Sequence, residues 1–431
     1  MSAATVVPSL SVRSSPLTVT VITFGKLTPL QNLYNIGYTV AVGIWVVRLH
    51  DVLPSMSISR GRPTVAEVSL GALRCNFQQV RALVGPGVGI LAVVKANGYG
   101  HGAVPAARAF VGEGAAALGV ATVEEGAGLR AAGLRVPILL LGGTVPGQEE
   151  DVLDLELTPA VWDLERARAL GERAAARNRR LPVHLKIDTG MGRLGVLPDD
   201  VTAIGRGLAE LPGLEVQGVF SHFACAEDVS GPAVAEQVRL FAVAVEDLAT
   251  AGVHPPEIHL ANSAAVMTLA GAHASMVRPG IMLYGVPPDP ALASRAQLTP
   301  AMRFRSSAIQ VKHVPAGTAV SYGQTFRTGR PSVLATVPVG YADGYPRALS
   351  NRAEVLVQGR RAPVVGRVCM DLTVVDVTGI SGVGAGTEVV LWGHQGEAEI
   401  TCGEVAAWAD TIPYELLTGV GMRVPRVYAD E

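Results

Sequence analysis

From about Thr64 onward the chain repeats one unit: a short apolar run, a turn, then an Ala/Leu/Arg-rich helical stretch. Apolar runs bounded by turn residues predict buried strands, and their alternation with helical patterns predicts parallel strands joined by helical crossovers. Candidate strands fall at Gly89–Val94, Ala117–Ala121, Pro137–Leu141, Thr158–Val161, Val183–Ile187, Val216–Phe220, Glu257–Leu260 and Met276–Arg278. Eight near-regular units fit a (β/α)8 barrel better than an open doubly wound sheet. No GxGxxG follows the first strand, so a dinucleotide fold lacks its usual support.

Beyond Pro287 the pattern changes to strands separated by turn residues, as in AIQVKHVPAG, SVLATVPVGYADG, AEVLVQGRRAPVVGRV, LTVVDV and EVVLWG. The expected α/β architecture is therefore a TIM-like barrel over residues 61–301 and a mainly antiparallel β domain over residues 302–431. The boundary falls in VPPDPALASRAQLTPAM. The first residues do not match: no Asp or Glu precedes Asp51, and Ser, Thr and Pro are frequent. Their most apolar part, Ile36 to Val47, is too short to cross a bilayer as a helix, and the signal-peptide order is poorly met. Met56 opens MSISRGRPTVAEVSLGALRCNF, where the patterned chain begins, so residues 1–60 read as an extension that a mis-chosen translation start would explain.

Composition narrows the function more than the fold. A net charge of −2 without dense Lys/Arg runs leaves no footprint for nucleic acid or an anionic membrane. The four cysteines show no CxxC spacing and the nine histidines no HExxH pair, so neither a disulfide framework nor a metal centre is expected. A reducing cytoplasm fits, and small-molecule chemistry remains.

That chemistry is suggested by AVVKANGYGHG, where Lys95 ends an apolar run and is followed at once by small, turn-forming residues. A lone lysine there reads most simply as a solvated strand end. Barrel enzymes, however, act at the C-terminal ends of their strands. Those ends carry Lys95 and Tyr99; Lys186, Asp188 and Arg193; His222; Asn262 and Ser263; and Arg278 and Gly280. Each has an ordinary alternative, such as a core histidine, an internal Lys186–Asp188 salt bridge, a helix N-cap at Asn262 and Ser263, or a glycine turn. Their joint placement around one barrel mouth is harder to explain that way.

The segments VVKANGYGHG, LKIDTGMGRLG, ANSAA, RPGIMLYG, PVGYADGYPR, VGRVCMDL and IPYELL, in this order, resemble the alanine racemase family over about Thr64 to Tyr428. The resemblance implies a barrel plus β-domain homodimer with shared active sites that uses pyridoxal 5′-phosphate to interconvert L- and D-alanine. By similarity, Lys95 carries the cofactor covalently and is one catalytic base, and Tyr341 from the other subunit is the second. His222 would lie between Tyr341 and Arg278. Tyr99, Ser263, Gly280, Ile281 and Tyr414 resemble the phosphate-binding set, with Asn262 supporting it. Arg193 is similar to the arginine that contacts the cofactor and steadies the substrate carboxylate, and Lys186 to a carbamylated lysine that holds that arginine. Met370 and Asp371 resemble partner-supplied residues at the substrate entrance.

Arg278 is the most diagnostic of these, because an arginine facing the pyridine nitrogen leaves it unprotonated where an aspartate would keep it cationic. The weaker electron sink favours return of the proton over transamination. A related decarboxylase family would call for an acidic residue at that place and a glycine-rich phosphate loop, and neither stands where Arg278 and ANSAA are. A non-catalytic carrier of the same cofactor would have no use for the β-domain motifs. A serine or broader-specificity racemase of the same fold is the remaining alternative.

Overall fold

The computed structural model describes residues 61–228 and 231–430; the extension expected over residues 1–60 lies outside the described residues. Strand β1 (Val65–Ser69) leads into helix α1 (Leu70–Val84), where the Ser69 hydroxyl caps the helix by accepting from Ala72 N at 3.0 Å. Helical spacing puts Leu73, Phe77 and Val80 on one buried face, and Gly85, at φ 79°, ends the helix in a backbone region that favours glycine.

The eight expected strands are present: β2 (Gly89–Val93), β3 (Ala117–Val120), β4 (Ile138–Leu140), β5 (Thr158–Val161), β6 (Leu181–Lys186), β7 (Leu214–Phe220), β8 (Glu257–His259) and β9 (Met276–Val277). They pair in parallel in the order β8-β7-β6-β5-β4-β3-β2-β9. The remaining seam, between β8 and β9, is bridged by Ser275 N donating to Ile258 O (3.1 Å) and Arg278 N to Ala261 O (2.8 Å). The sheet thus curls into a nearly closed barrel, with helices between successive strands, as the alternating pattern requires.

The C-terminal region is mainly antiparallel, as expected. Met302–Ser307 pairs with Glu388–Gln395, which pairs with Glu354–Val357, which in turn pairs with Arg360–Pro363. Gln310–Val314, Ser332–Val337 and Thr373–Asp376 form a second antiparallel sheet. Strand β1 falls within the span expected for the barrel, yet it is hydrogen-bonded into the C-terminal sheet. It lies antiparallel to Met302–Ser307, with Val65 opposite Arg305, and parallel to Arg426–Ala429, with Ala66 opposite Arg426. One continuous apolar core joins the two regions, with Phe304 packed on Trp392 at 4.7 Å between ring centroids. Among the described residues no helix is long and apolar enough to cross a membrane.

Candidate active site

At the end of β2 the chain enters a left-handed turn: Ala96, Asn97, Gly98, Tyr99 and Gly100 have φ of 52°, 54°, 61°, 50° and 82°. Three of these are not glycine, at a cost of roughly 1–2 kcal/mol each, so the surroundings must impose the conformation. Ala96 N donates to Glu125 Oε1 at 2.6 Å while Glu125 Oε2 accepts from Ala121 N at 2.7 Å, tying the turn to the end of β3. Ala103 N donates to Asn97 Oδ1 at 3.0 Å. A Cβ on Gly100 would lie 1.9 Å from Leu417 O, so only glycine fits there. Lys95 heads this turn. Burial, and then the positive charges of Arg193 and Arg278, lower its pKa against the opposing pull of Glu125.

Lys186 closes β6 and is 5% exposed, with its ammonium 4.5 Å above the Phe220 ring. Among the described residues no carboxylate pairs with it; burial, Arg278 and Arg193 bring its pKa down to about 7. Asp188 is otherwise engaged. Its two oxygens accept from the backbone N–H groups of Gly190, Met191, Gly192 and Arg193 at 2.8–3.1 Å, so it folds the loop that carries Arg193 rather than neutralising Lys186.

Arg278, 4% exposed just past β9, has no acidic partner among the described residues. Its Nη1 donates to His259 O (2.7 Å) and His259 Nδ1 (3.0 Å), and its Nη2 donates to Ser221 O (2.6 Å), Leu260 O (3.2 Å) and His222 Nδ1 (3.4 Å). Burial lowers its pKa to about 9, which leaves it charged at neutral pH. Burial and the surrounding cations, Arg278 first, push His222 down to about 2, so that ring is neutral. Gln237 holds this corner: its Nε2 donates to His222 O (3.0 Å) and Thr189 Oγ1 (3.2 Å), and its Oε1 accepts from Ala224 N (3.0 Å).

Asn262 is the N-cap of Ser263–Thr268, accepting from Ala265 N at 3.0 Å. Ser263 Oγ accepts from Gly280 N at 2.8 Å, and Ile281 opens the 3-10 turn that follows. Tyr99 stacks on Tyr284 (4.9 Å) and meets Tyr414 (6.0 Å). A Cβ on Gly280 would lie 2.4 Å from Tyr99 Oη, so the missing side chain lets that hydroxyl close on the backbone.

Tyr341, Met370 and Asp371 gather separately on the C-terminal region. Tyr341 N donates to Cys369 O and Ala342 N to Met370 O, both at 3.1 Å, and Tyr341 and Met370 are 43% and 53% exposed. Among the described residues no hydrogen bond, ion pair or ring contact joins these three to the barrel mouth. Two positions on, Asp343 is fully buried and receives Arg62 (2.5 and 3.0 Å) and Arg423 (2.7 and 3.2 Å), while Arg423 also reaches Asp371 at 2.6 Å.

Residues 68–288 match the model of the alanine racemase N-terminal domain, and residues 301–428 that of the C-terminal domain. The chain belongs to the alanine racemase family. It is 48% identical to the alanine racemase of Symbiobacterium thermophilum, over 87% of this chain and 100% of that one. The crystal structure of alanine racemase from D-cycloserine-producing Streptomyces lavendulae superposes with a TM-score of 0.82 at 41% identity, covering 86% of this chain and 98% of that one. Alanine racemase from Bartonella henselae, solved with covalently bound pyridoxal phosphate, gives 0.78 at 30% identity, covering 86% of this chain and 100% of that one.

The barrel mouth fits the cofactor of this alanine racemase family on chemical grounds. Lys95, Lys186, Arg193 and Arg278 act on one another's charge, and Lys186 and Arg278 have no carboxylate partner among the described residues, as an anionic guest requires. Beside them, Tyr99 Oη lies against the Gly280 backbone, where no side chain stands between them. Four residues that shape the site escape motif reading: Glu125, Gln237, Asp343 and Arg62. Asp343 stands inside PVGYADGYPR, but nothing local shows that two distant arginines converge on it. The interior pair His184 and His259 was legible only through strand parity, two residues from Lys186 and Glu257 respectively.

Proposed function

We propose that the chain interconverts L- and D-alanine by a two-base mechanism with pyridoxal 5′-phosphate, supplying D-alanine for peptidoglycan, in the cytoplasm as a homodimer with shared active sites. The observation that carries the reading is Arg278, a buried guanidinium held by carbonyls and histidines and matched to no carboxylate among the described residues. Such an arginine would serve the cofactor's ring nitrogen, to which it can give a hydrogen bond without giving up a proton.

Pyridoxal 5′-phosphate, when bound, draws electron density from the substrate Cα and makes its proton removable. Lys95 would hold the cofactor and, with its lowered pKa, would take or return the Cα proton on one face. Tyr341 of the partner subunit does the same on the other. His222 accepts at Nδ1 from Arg278, which puts its own proton on Nε2, where it stabilises the phenolate of that tyrosine.

Tyr99, Ser263, Gly280, Ile281 and Tyr414 would hold the phosphate, with Asn262 capping the short helix that Ser263 opens. A pKa of about 7 supports carbamylation of Lys186, since the neutral amine is the form that adds carbon dioxide. The product is an anion, and it turns a Lys186–Arg193 repulsion into an attraction that steadies Arg193 against the substrate carboxylate. Met370 and Asp371 of the partner subunit narrow the entrance, and with Tyr341 they leave room for a methyl side chain. The test is an assay of the purified chain with L-alanine and L-serine, with and without added cofactor. Cofactor-dependent formation of D-alanine is expected, and turnover of serine in preference to alanine would overturn the substrate assignment.

A further inference from the structure

Barrel interiors are filled by layers of branched apolar side chains, yet a column of four polar residues runs through this one. Arg278 Nη1 lies 3.0 Å from His259 Nδ1, His259 Nε2 lies 2.8 Å from His184 Nδ1, and His184 Nε2 lies 3.3 Å from Glu257 Oε2. Strand parity builds it. His184 stands two residues before Lys186 on β6, and Glu257 two before His259 on β8, so each pair shares one side of its strand. The barrel makes room for the column: a Cβ on Gly218 would lie 2.3 Å from His184 Nδ1. Phe220 stacks flat on His259, 5.0 Å between centroids at 7°.

One proton arrangement satisfies these contacts. Arg278 can only donate, so His259 Nδ1 must accept. His259 is fully buried, and burial and Arg278 keep its pKa well below the usual value, so it is neutral and its single proton sits on Nε2. That proton points at His184 Nδ1, which leaves the proton of a neutral His184 on Nε2, facing Glu257. Glu257 also accepts from Gln217 Nε2 at 3.4 Å, and its side chain is 29% exposed at the start of β8.

We propose that Glu257, accepting at the end opposite Arg278, holds this column in place and thereby positions Arg278. With Arg278 donating at one end and the carboxylate accepting at the other, both histidines are Nε2–H tautomers, and His259 offers its lone pair to the guanidinium. The inference rests on the reading that Arg278 serves the cofactor's ring nitrogen and adds residues that act on it from the opposite end of the barrel. Glu257 and His184 are positioning residues: they reach the cofactor only through His259 and Arg278.

The test reads tautomers directly. Nitrogen-15 NMR of the histidine-labelled holoenzyme, with resonances assigned through His184→Gln and His259→Gln, should show His184 and His259 as Nε2–H only. Glu257→Leu strips His184 Nε2–H of its acceptor, which should shift the His184 nitrogen-15 resonances and lower kcat for alanine about tenfold with little change in KM. Glu257→Gln retains an acceptor oxygen and should restore both. An Nδ1–H proton on either histidine of the wild-type enzyme, or unchanged His184 resonances and kcat in Glu257→Leu, overturns the proposal. Should Glu257→Leu fail to fold, the wild-type and Glu257→Gln spectra still decide it. The readout is also independent of racemisation. Expected tautomers in a chain that does not racemise would count against the proposed function alone, and the wrong tautomers in an active chain against the column alone.

Discussion

The barrel mouth and the Tyr341 surface carry the two halves of one proposed reaction, but they are built in opposite ways. At the mouth, Lys186 and Arg278 are 5% and 4% exposed, and their charges are held by carbonyls, an aromatic ring and neutral histidines. On the other surface Tyr341 and Met370 stand largely in the open, and the buried charge lies one layer beneath them, at Asp343. The first half tunes protonation by desolvation. The second achieves only placement by itself, because an exposed side chain meets its chemical environment when another surface covers it. The contrast teaches that the proposed first base is prepared within this chain alone, whereas the proposed second is fixed in position on an open surface.

The comparison breaks most sharply at Lys95. Lys95→Ala should reduce racemisation on the order of 10³-fold or more and abolish the covalent cofactor adduct trapped by borohydride; a trapped adduct at another lysine would defeat the assignment. Next in size is Asp343→Asn, which removes the charge shared by Arg62 and Arg423 and should lower unfolding stability by roughly 3 kcal/mol in denaturant titrations. Burial pushes the Asp343 pKa up, but the hydrogen bonds from Arg62, Arg423 and Gly340 outweigh it and hold it below 3.8. Its contribution is therefore complete above that value and is lost as pH falls below it. In Asp343→Asn this acid-side loss should be smaller, and equal acid sensitivity would show that the clamp carries no charge-dependent stability.

Lys186 sharpens the contrast from the other side. Its folded pKa of about 7 lies below the ordinary 10.5, so between these values the unfolded chain binds more protons than the folded one. Stability should then rise with pH across that window, by up to about 1.4 kcal/mol per unit, and Lys186→Met should flatten the slope. Carbamylation would flatten it too, so unfolding in carbon-dioxide-free and bicarbonate-containing buffer separates a free amine from a modified one. The smallest effect tests whether the halves meet across subunits. Lys95→Ala and Tyr341→Ala chains, each inactive, should regain about a quarter of wild-type activity when refolded together, because half the dimers are mixed and each holds one intact site. An inactive mixture would place both bases in one subunit or remove Tyr341 from the reaction.

Much of this was legible in the chain because its signals are local. Each barrel strand is a short apolar run beside a helical pattern, and Lys95 and Lys186 stand at the ends of two such runs. The partnership of β1 was not legible, since an alternating strand says nothing about which distant strand it joins. Nor was the Asp343 clamp, whose arginines stand 281 and 80 positions away. The left-handed turn after Lys95 was half legible. Gly98 and Gly100 announce it, but Ala96, Asn97 and Tyr99 carry no preference that would reveal φ values near 50°.

The placement of β1 between Met302–Ser307 and Arg426–Ala429 also sets a schedule for synthesis. A ribosome adding about 5–20 residues per second emits β1 on the order of 10–50 s before its first partner strand exists, and its second partner is nearly the last segment made. Throughout that interval the barrel can close behind a strand whose two edges are unsatisfied and open to pairing with any other chain. Efficient production of this enzyme therefore depends on what shelters VAEVS while the ribosome finishes, and slowing translation near the 3′ end of the message should cost more soluble protein than the same delay placed ahead of β1.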